Sequence, residues 1–400
     1  MEIDLGGEAR GPLAGVRVLD FSAVVSGPLC AQILGDLGAD VVKVEPPEGD
    51  TTRRLGPPFK AGLTPLFVHC NRNKRSLALD LKLPAGLAVA RRLARGADVL
   101  VENYRPGVAE RLGIGYAALA AENPRLVYVA ISGFGPSGPY AGQPAYDMVI
   151  QALSGLAHAQ KEAGQPRLFR NLMADKSSAL SAAYSALAAL FARERSGRGQ
   201  KVELPMLDAY AAFGLVDVLG VHTFPPAEAP PPDLGPAVYR AWETADGHVA
   251  VLVLEDHQFQ GLCRALDRED LIADPRCATT LTRVQHALEL FQILGAEIRK
   301  WRTAELVARA HKFEAPLAPV NDVEAFLADP QVAANGTVLE VEDPAAGTLR
   351  LLAHPARYGE TPPSLRRRPP RLGEHGDELL RELGYEDGEI AELRAARAVV

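Results

Sequence analysis

Apolar positions along this chain switch between two periods. Val16, Val18 and Leu19 make a β-rich start, Leu29, Ile33 and Leu37 recur at helical spacing, and Val41, Val42 and Val44 restore a strand that ends on Glu45. Residues 16–50 therefore predict a strand–helix–strand crossover. The alternation continues, with strand-like runs at Asp98–Glu102, Leu126–Ile131 and Lys201–Leu204 and helical stretches at Leu83–Arg95 and Ala174–Arg193. That order predicts an α/β fold with a mostly parallel sheet covered by helices.

Proline punctuates the pattern twice. FPPAEAPPPDLGP, residues 224–236, can hardly form a helix or a central strand and reads as a stiff linker. A hairpin is expected after it, from Tyr239–Glu243 through a turn at Asp246-Gly247 into His248–Leu254, opening a smaller α+β domain. A second Pro- and Arg-rich stretch, Thr361–Arg371, precedes a short helix near Asp377–Leu383. The boundaries read as 11–223 for the N-terminal part of the large domain, 224–236 for the linker, 237–330 for the small domain and 331–400 for a return segment.

Composition narrows the class. A 400-residue chain with 47% hydrophobic and 23% charged residues fits an ordinary soluble globular protein of two domains or one large one. No apolar run approaches the ~20 residues of a membrane span. Met1–Arg10 lacks the pattern of a signal peptide, so a cytoplasmic location is expected. The net charge of −7 argues against nucleic acid as a partner. Cys30, Cys70, Cys263 and Cys277 have no C-x-x-C spacing, and the nine histidines show no paired spacing, so no metal site is expected. The turn Phe21–Gly27 carries one glycine where a dinucleotide site would show G-x-G-x-x-G, so no NAD is expected. G-x-S-x-G and the P-loop are absent too.

Three segments remain as candidates. The first is Asn71–Ser76, with Arg72, Lys74 and Arg75, which is either a phosphate-binding cluster or a solvated loop before strand Leu77–Leu79. The second is the turn Gly133-Phe134-Gly135 directly after a strand, where glycines let a ligand approach the backbone, or a plain reverse turn. The third is Asp175 at the start of a helix. A structural N-cap is its plain reading, but a helix N-terminus also favours the carboxylate form, which can act as a nucleophile. That helix carries one stripe of Leu180, Tyr184, Leu187 and Phe191 and another of Ala179, Ala182, Ala183, Ala186 and Ala189, the second suited to close packing.

Together these blocks resemble the class III CoA-transferases, the family of formyl-CoA and carnitine-CoA transferases. The matching runs are GVRVLDFSAVVSGPLCAQILGDLGADVVKVEPPEGD, NRNKRSLALDLK, ADVLVENYRPGVAERLGIGY, SGFGPSGPYAGQPAYD, ADKSSAL and SGRGQKVELPMLDA. They cover about Pro12 to Tyr210, and YRAWETADGHVAV, DPRCAT and APLAPV match more loosely.

The resemblance implies a doubly wound, Rossmann-like large domain completed by both chain ends, a small domain, and two interlocked chains forming a homodimer. It implies coenzyme A as the carried group, an acyl-CoA donor and a carboxylic-acid acceptor. It places the nucleophile on Asp175. CoA contacts carry over to Val25, Ser26, Leu79 through Lys82, Asn103, Tyr104, Arg111, Ile131 and Ser132, with Arg72, Lys74, Arg75 and Arg105 as phosphate partners. Gly133, Phe134 and Gly135 become oxyanion donors. Arg167 and Arg170 could pair the second carboxylate of a dicarboxylate such as succinate, or be solvated.

The chain departs from formyl-CoA transferase at Val25, where that enzyme has glutamine, and at Pro46, where it has arginine. The α-methylacyl-CoA racemases of the same superfamily keep the aspartate and pair it with histidine in a Gly-His-Asp run. This chain reads Ala145-Tyr146-Asp147 there, and a tyrosine is a poor base near neutrality. Transfer is therefore expected ahead of racemisation, with a non-catalytic CoA-binding protein as the third alternative.

Overall fold

The computed structural model describes residues 1–56, 60–226 and 238–400. Positions 227–236 of the expected linker lie outside the described residues. The chain divides into two compact units, Met1–Leu219 with Ala333–Val400, and Gly220–Val332.

The first unit begins with a short strand, β1 (Glu2–Ile3). Its centre is a sheet of β2 (Arg17–Asp20), β3 (Asp40–Glu45), β4 (Lys74–Ala78), β5 (Val99–Glu102), β6 (Val127–Ser132) and β7 (Lys201–Pro205). All neighbours are parallel, in the order β4-β3-β2-β5-β6-β7. Among the described residues, the helices that separate or flank these strands include α1 (Ser26–Asp36), α2 (Pro65–Cys70), α3 (Pro84–Arg95), α4 (Val108–Arg111), α5 (Tyr116–Glu122), α6 (Asp147–Leu153), α7 (Leu156–Ala159), α8 (Met173–Ser196) and α9 (Met206–Gly214).

Period-two alternation sends each strand to both faces, as a sheet covered on both sides requires. Val18, Val41, Val99, Val127 and Val129 join α1, α8 and α9 on one face. Leu19, Val42, Leu77, Leu100 and Tyr128 join α3 and α5 on the other. The fold is thus α/β and doubly wound. Each fully buried Leu or Val contributes roughly 1.5–3 kcal/mol of transfer free energy.

The chain's end completes this second face. Leu379, Leu380, Ile390 and Val399 lie in the same apolar cluster as β4, and the N–H of His375 donates to Ser76 O at 3.0 Å.

α8 is built with its small stripe inward. Ala179, Ala182, Ala183, Ala186 and Ala189 are buried with Ala31 and Leu34 of α1, while Leu180, Tyr184 and Phe191 are 53%, 63% and 62% exposed. Methyl side chains allow the two helix backbones to approach, and the large residues are left on the outer surface.

The second unit holds a three-stranded antiparallel sheet, β8 (Trp242–Glu243), β9 (His248–Val251) and β10 (Leu317–Pro319), with helices around one apolar core. The expected hairpin closes there, Thr244 N–H donating to Gly247 O at 2.9 Å. In the first unit, β11 (Val338–Asp343) and β12 (Gly347–Leu352) form an antiparallel hairpin, and β13 (Ser364–Leu365) pairs with β1.

Candidate active site

The strand order places a topological switch between β2 and β5, the two central strands whose connections leave in opposite directions. Ligands of open α/β sheets bind beyond the carboxyl ends of strands at such a point. The switch is laced shut by Asn103, just past β5. Its Oδ1 accepts Ala23 N–H at 2.9 Å and its Nδ2 donates to Ala23 O at 2.7 Å. The same turn holds Val24 at φ +71, a costly conformation for a β-branched residue. Val24 N–H donates to Asp50 Oδ1 at 3.2 Å. The lone glycine of the turn has a steric role: a Cβ on Gly27 would meet Ser22 Cβ at 2.2 Å.

A cleft of about 380 Å³ opens at this edge. Phe21, Ser22 and Ala23 line it from beyond β2, Pro46 through Thr51 and Arg54 from the segment after β3, Leu79 to Lys82 from beyond β4, and Tyr104 from beyond β5. Of the expected CoA contacts, Leu79, Lys82 and Tyr104 lie in its wall. Val25 and Ser26 are 1% and 2% exposed and sit beneath the surface at the start of α1. Ile131 is buried, while Arg105 and Arg111 are exposed. The residues missed by sequence reading are Glu48 and Arg54. Their position directly after a parallel strand was the available signal. Arg54 Nη1 donates to Glu48 O at 2.5 Å.

The basic cluster requires a correction. Arg72, Lys74 and Arg75 are neither phosphate ligands nor a solvated loop. They are 5%, 0% and 3% exposed, Lys74 and Arg75 being the first two residues of β4. Arg72 pairs with Asp36, Lys74 with Asp20, and Arg75 with Asp40, Glu378 and Glu382. A charge at this depth is tolerable only when paired and hydrogen-bonded. Lys74 Nζ meets that condition threefold, donating to Asp20 Oδ2 at 2.7 Å, Pro28 O at 2.7 Å and Asn71 Oδ1 at 2.8 Å. Buried Lys43 adds to it, with Nζ 3.0 Å from Asp50 Oδ2 and donating to Ser22 O at 3.0 Å. Lys43 and Lys74 are spent beneath the switch-point turn, holding it in place through Asp20, Asp50, Ser22 O and Pro28 O.

Farther along the same edge, β6 runs into Gly133-Phe134-Gly135. A Cβ on Gly133 would meet Ala145 Cβ at 2.2 Å, so this glycine lets the 145–147 segment fold over the strand end. The N–H of Gly135 is already spent on Ser132 Oγ at 3.1 Å. The N–H groups of Gly133 and Phe134 make no hydrogen bond among the described residues.

Asp147 opens α6 and is 3% exposed; Asp175 lies in the first turn of α8 and is 8% exposed. The N-cap reading of Asp175 is also corrected. The cap position belongs to Leu172, which supplies no side-chain acceptor. Asp175 is itself capped, its N–H donating to Asp147 Oδ2 at 3.1 Å.

Burial, reinforced by the neighbouring Asp147, pushes the Asp175 carboxyl up to about 7. The helix N-terminus acts the other way, but its ~2 kcal/mol ceiling is smaller than the roughly 4 kcal/mol that this rise represents. Desolvation wins. A second displaced carboxyl stands at the switch point: burial raises Glu102 to about 7, although Tyr104 N–H donates to its Oε2 at 2.7 Å.

Tyr146 is 69% exposed. Arg167 is exposed, with Nη2 3.2 Å from Glu162 Oε2. Arg170 is exposed and makes no ion pair or hydrogen bond among the described residues. Those residues also contain no group of His, Cys, Asp or Glu arranged to hold a metal, and no helix long and apolar enough to cross a membrane.

The chain is similar to the succinate–glutarate CoA-transferase of Agrobacterium fabrum, 37% identical over 93% of this chain and 96% of the relative. It is 35% identical to human succinyl-CoA:glutarate CoA-transferase over 97% of this chain and 90% of the relative. The formyl-CoA:oxalate CoA-transferase of Escherichia coli O157:H7 is 33% identical, over 97% and 99%. A crystal structure of a CAIB/BAIF family protein from Brucella suis superimposes with a TM-score of 0.82 at 33% identity, covering 94% of this chain and 100% of that one. The family model described as CoA-transferase family III matches residues 13–376. This chain belongs to CoA-transferase family III.

Proposed function

We propose that this protein moves CoA from an acyl-CoA thioester to a free carboxylic acid, with Asp175 as the nucleophile. One observation carries the reading. Asp175 is a buried carboxylate in the first turn of α8, on the sheet edge that also holds the cleft and the unused N–H groups of Gly133 and Phe134.

The Asp175 carboxylate attacks the thioester carbonyl, the C–S bond breaks, and CoA leaves as thiolate from a mixed anhydride. The thiolate attacks the aspartyl carbonyl, releasing the donor acid and leaving an aspartyl-CoA thioester. An acceptor carboxylate attacks that thioester and frees the thiolate again. The thiolate then takes the new acyl group and restores Asp175. Gly133 and Phe134 N–H groups offer donors to the oxyanions. Desolvation raises the basicity of the Asp175 carboxylate, which suits a nucleophile working near neutrality. No other cofactor is required by these steps.

CoA would lie in the 380 Å³ cleft, with Arg54 and Lys82 as cations in its wall for phosphate. The acceptor would be a dicarboxylate, as the names of the three relatives suggest, with unpaired Arg170 toward its second carboxylate. Racemisation is the weaker reading because Tyr146, not histidine, precedes Asp147. The functional assembly would be an interlocked homodimer. The exposed stripe of Leu180, Tyr184 and Phe191 is the apolar surface a second copy would cover. The working place would be the cytoplasm.

The direct test incubates the protein with succinyl-CoA and a panel of mono- and dicarboxylic acids and identifies new CoA esters by mass spectrometry. New esters with dicarboxylates, lost in Asp175→Ala, are expected. Full exchange by Asp175→Ala would sink the role given to that residue.

A further inference from the structure

Asp175 does not stand on its own helix alone. Asp147 reaches it from α6 with both carboxylate oxygens engaged. Oδ2 accepts the Asp175 N–H at 3.1 Å and Oδ1 accepts from Gln151 Nε2 one turn later. Gln151, 1% exposed, spends its remaining groups on the loop that leads into α8. Its Nε2 also donates to Asn171 O at 2.9 Å, and its Oε1 accepts Phe169 N–H at 2.9 Å. Asp147 and Gln151, at i and i+4 on α6, thus clamp residues 169–175 by three hydrogen bonds and are tied to each other by a fourth. No Arg, Lys or His neutralises Asp147 among the described residues, in contrast to Asp20, Asp36 and Asp40 of the same unit. A fully buried, uncompensated carboxylate is costly, and a structural cap could be supplied by Ser, Thr or Asn without that charge.

Resting on the CoA-transfer reading, we propose that Asp147 is the positioning residue of the Asp175 nucleophile. It fixes the first turn of α8 and sets a second negative charge beside the reacting carboxylate, with Gln151 holding Asp147 in that role. Two carboxylates in one desolvated site cannot both ionise freely. Asp147 therefore keeps the electron pair of Asp175 poorly stabilised until a thioester carbonyl takes it up.

The other ionisable groups around the pair are accounted for. Cys70 of α2 faces Asp175, and Tyr210 of α9 faces Asp147. Lys176 of α8 donates to Asn171 Oδ1. From α1, Cys30 lies toward Asp20 and Lys74, and Asp36 is bound by Arg72. From β7, Lys201 and Glu203 pair with each other.

The test compares wild type, Asp147→Asn and Gln151→Ala in steady-state CoA exchange across pH 5–9. Carboxyl 13C titration of Asp175 is followed in parallel. Asn keeps an acceptor for the Asp175 N–H but removes the charge. The expected result for Asp147→Asn is a kcat at least tenfold lower, KM for acyl-CoA within about twofold, and an acid limb and 13C midpoint displaced to lower pH by roughly one unit. In Gln151→Ala, Asp147 loses a donor and the midpoint moves the opposite way, to higher pH. A purely structural cap would not give opposite displacements. Wild-type kcat and midpoint in Asp147→Asn, or displacements of the same sign in both variants, would overturn the inference. If either variant is unstable, the 13C midpoint of the other decides. An inactive wild type sinks the CoA-transfer reading, whereas the titration still judges the coupling of Asp147 to Asp175.

Discussion

Arg72 closes on Asp36 through two nearly parallel hydrogen bonds, Nε to Oδ1 at 2.9 Å and Nη2 to Oδ2 at 2.5 Å, with both residues buried. Breaking a buried pair from one side leaves a bare charge and costs about 3–5 kcal/mol. Arg72→Ala is therefore expected to lose that much stability while the KM for acyl-CoA stays within about twofold. Urea denaturation and steady-state kinetics check it. A large rise in KM with unchanged stability would restore a phosphate role for Arg72.

The raised Asp175 carboxyl makes a stability prediction with a definite sign. Its folded pKa, about 7, lies above the ordinary ~3.9, so folding favours the proton. The contribution is fully present below pH ~4 and is lost as pH rises toward 7. Asp175→Asn, permanently neutral, should melt a few degrees above wild type at pH 8. The difference should vanish near pH 4. Calorimetry at the two pH values measures it, and an equal difference at both would refute the desolvated carboxyl.

Gly133 is expected to be intolerant of a methyl group. The Cβ of Gly133→Ala would sit 2.2 Å from Ala145 Cβ, and one of the two has to move. Because Asp147 follows two residues later, the disturbance reaches the Asp175 turn. A misplacement near 1 Å can cost about 100-fold in rate. The expected outcome is a kcat lower by tenfold or more, with acyl-CoA binding by calorimetry little changed.

The cleft makes a prediction for binding. Arg54 and Lys82 both line it, and a charge-assisted hydrogen bond is worth about 1.5–3 kcal/mol. Arg54→Ala and Lys82→Ala should each weaken CoA roughly tenfold or more, and the loss should shrink with a CoA fragment that lacks the phosphates. Titration calorimetry with CoA and pantetheine separates these outcomes. Equal losses for both ligands would place the phosphates elsewhere.

The outer stripe of α8 bears on assembly. Tyr184 is 63% exposed beside exposed Leu180, so Tyr184→Asp should be harmless to a lone chain. If this face is covered by a second copy, the variant should sediment as a smaller species or fail to accumulate. Unchanged sedimentation of a dimeric wild type would assign the interface to another surface.

The crossover at residues 16–50 and the later strand–helix alternation were legible because each depends on neighbours within one window. The valines of β3 and the leucines of α1 carry their own period. The candidate Asp175 could be proposed from sequence as well, since it travels in a short contiguous block. The fate of the basic cluster was not legible. The partners of Arg72, Lys74 and Arg75 lie 36, 54 and up to 307 positions away, and no local pattern says whether a run of cations meets water, phosphate or buried carboxylates. The two stripes of α8 were visible, but which one faces inward was decided by α1, whose closeness only alanine permits.

The capping of Asp175 by Asp147, 28 residues away, is likewise a product of assembly. By itself the sequence determined the elements and the family likeness, because these are local. Only the tertiary structure decided which charges are spent inside the fold and which remain for a ligand, because pairing and desolvation depend on what the folded chain brings together.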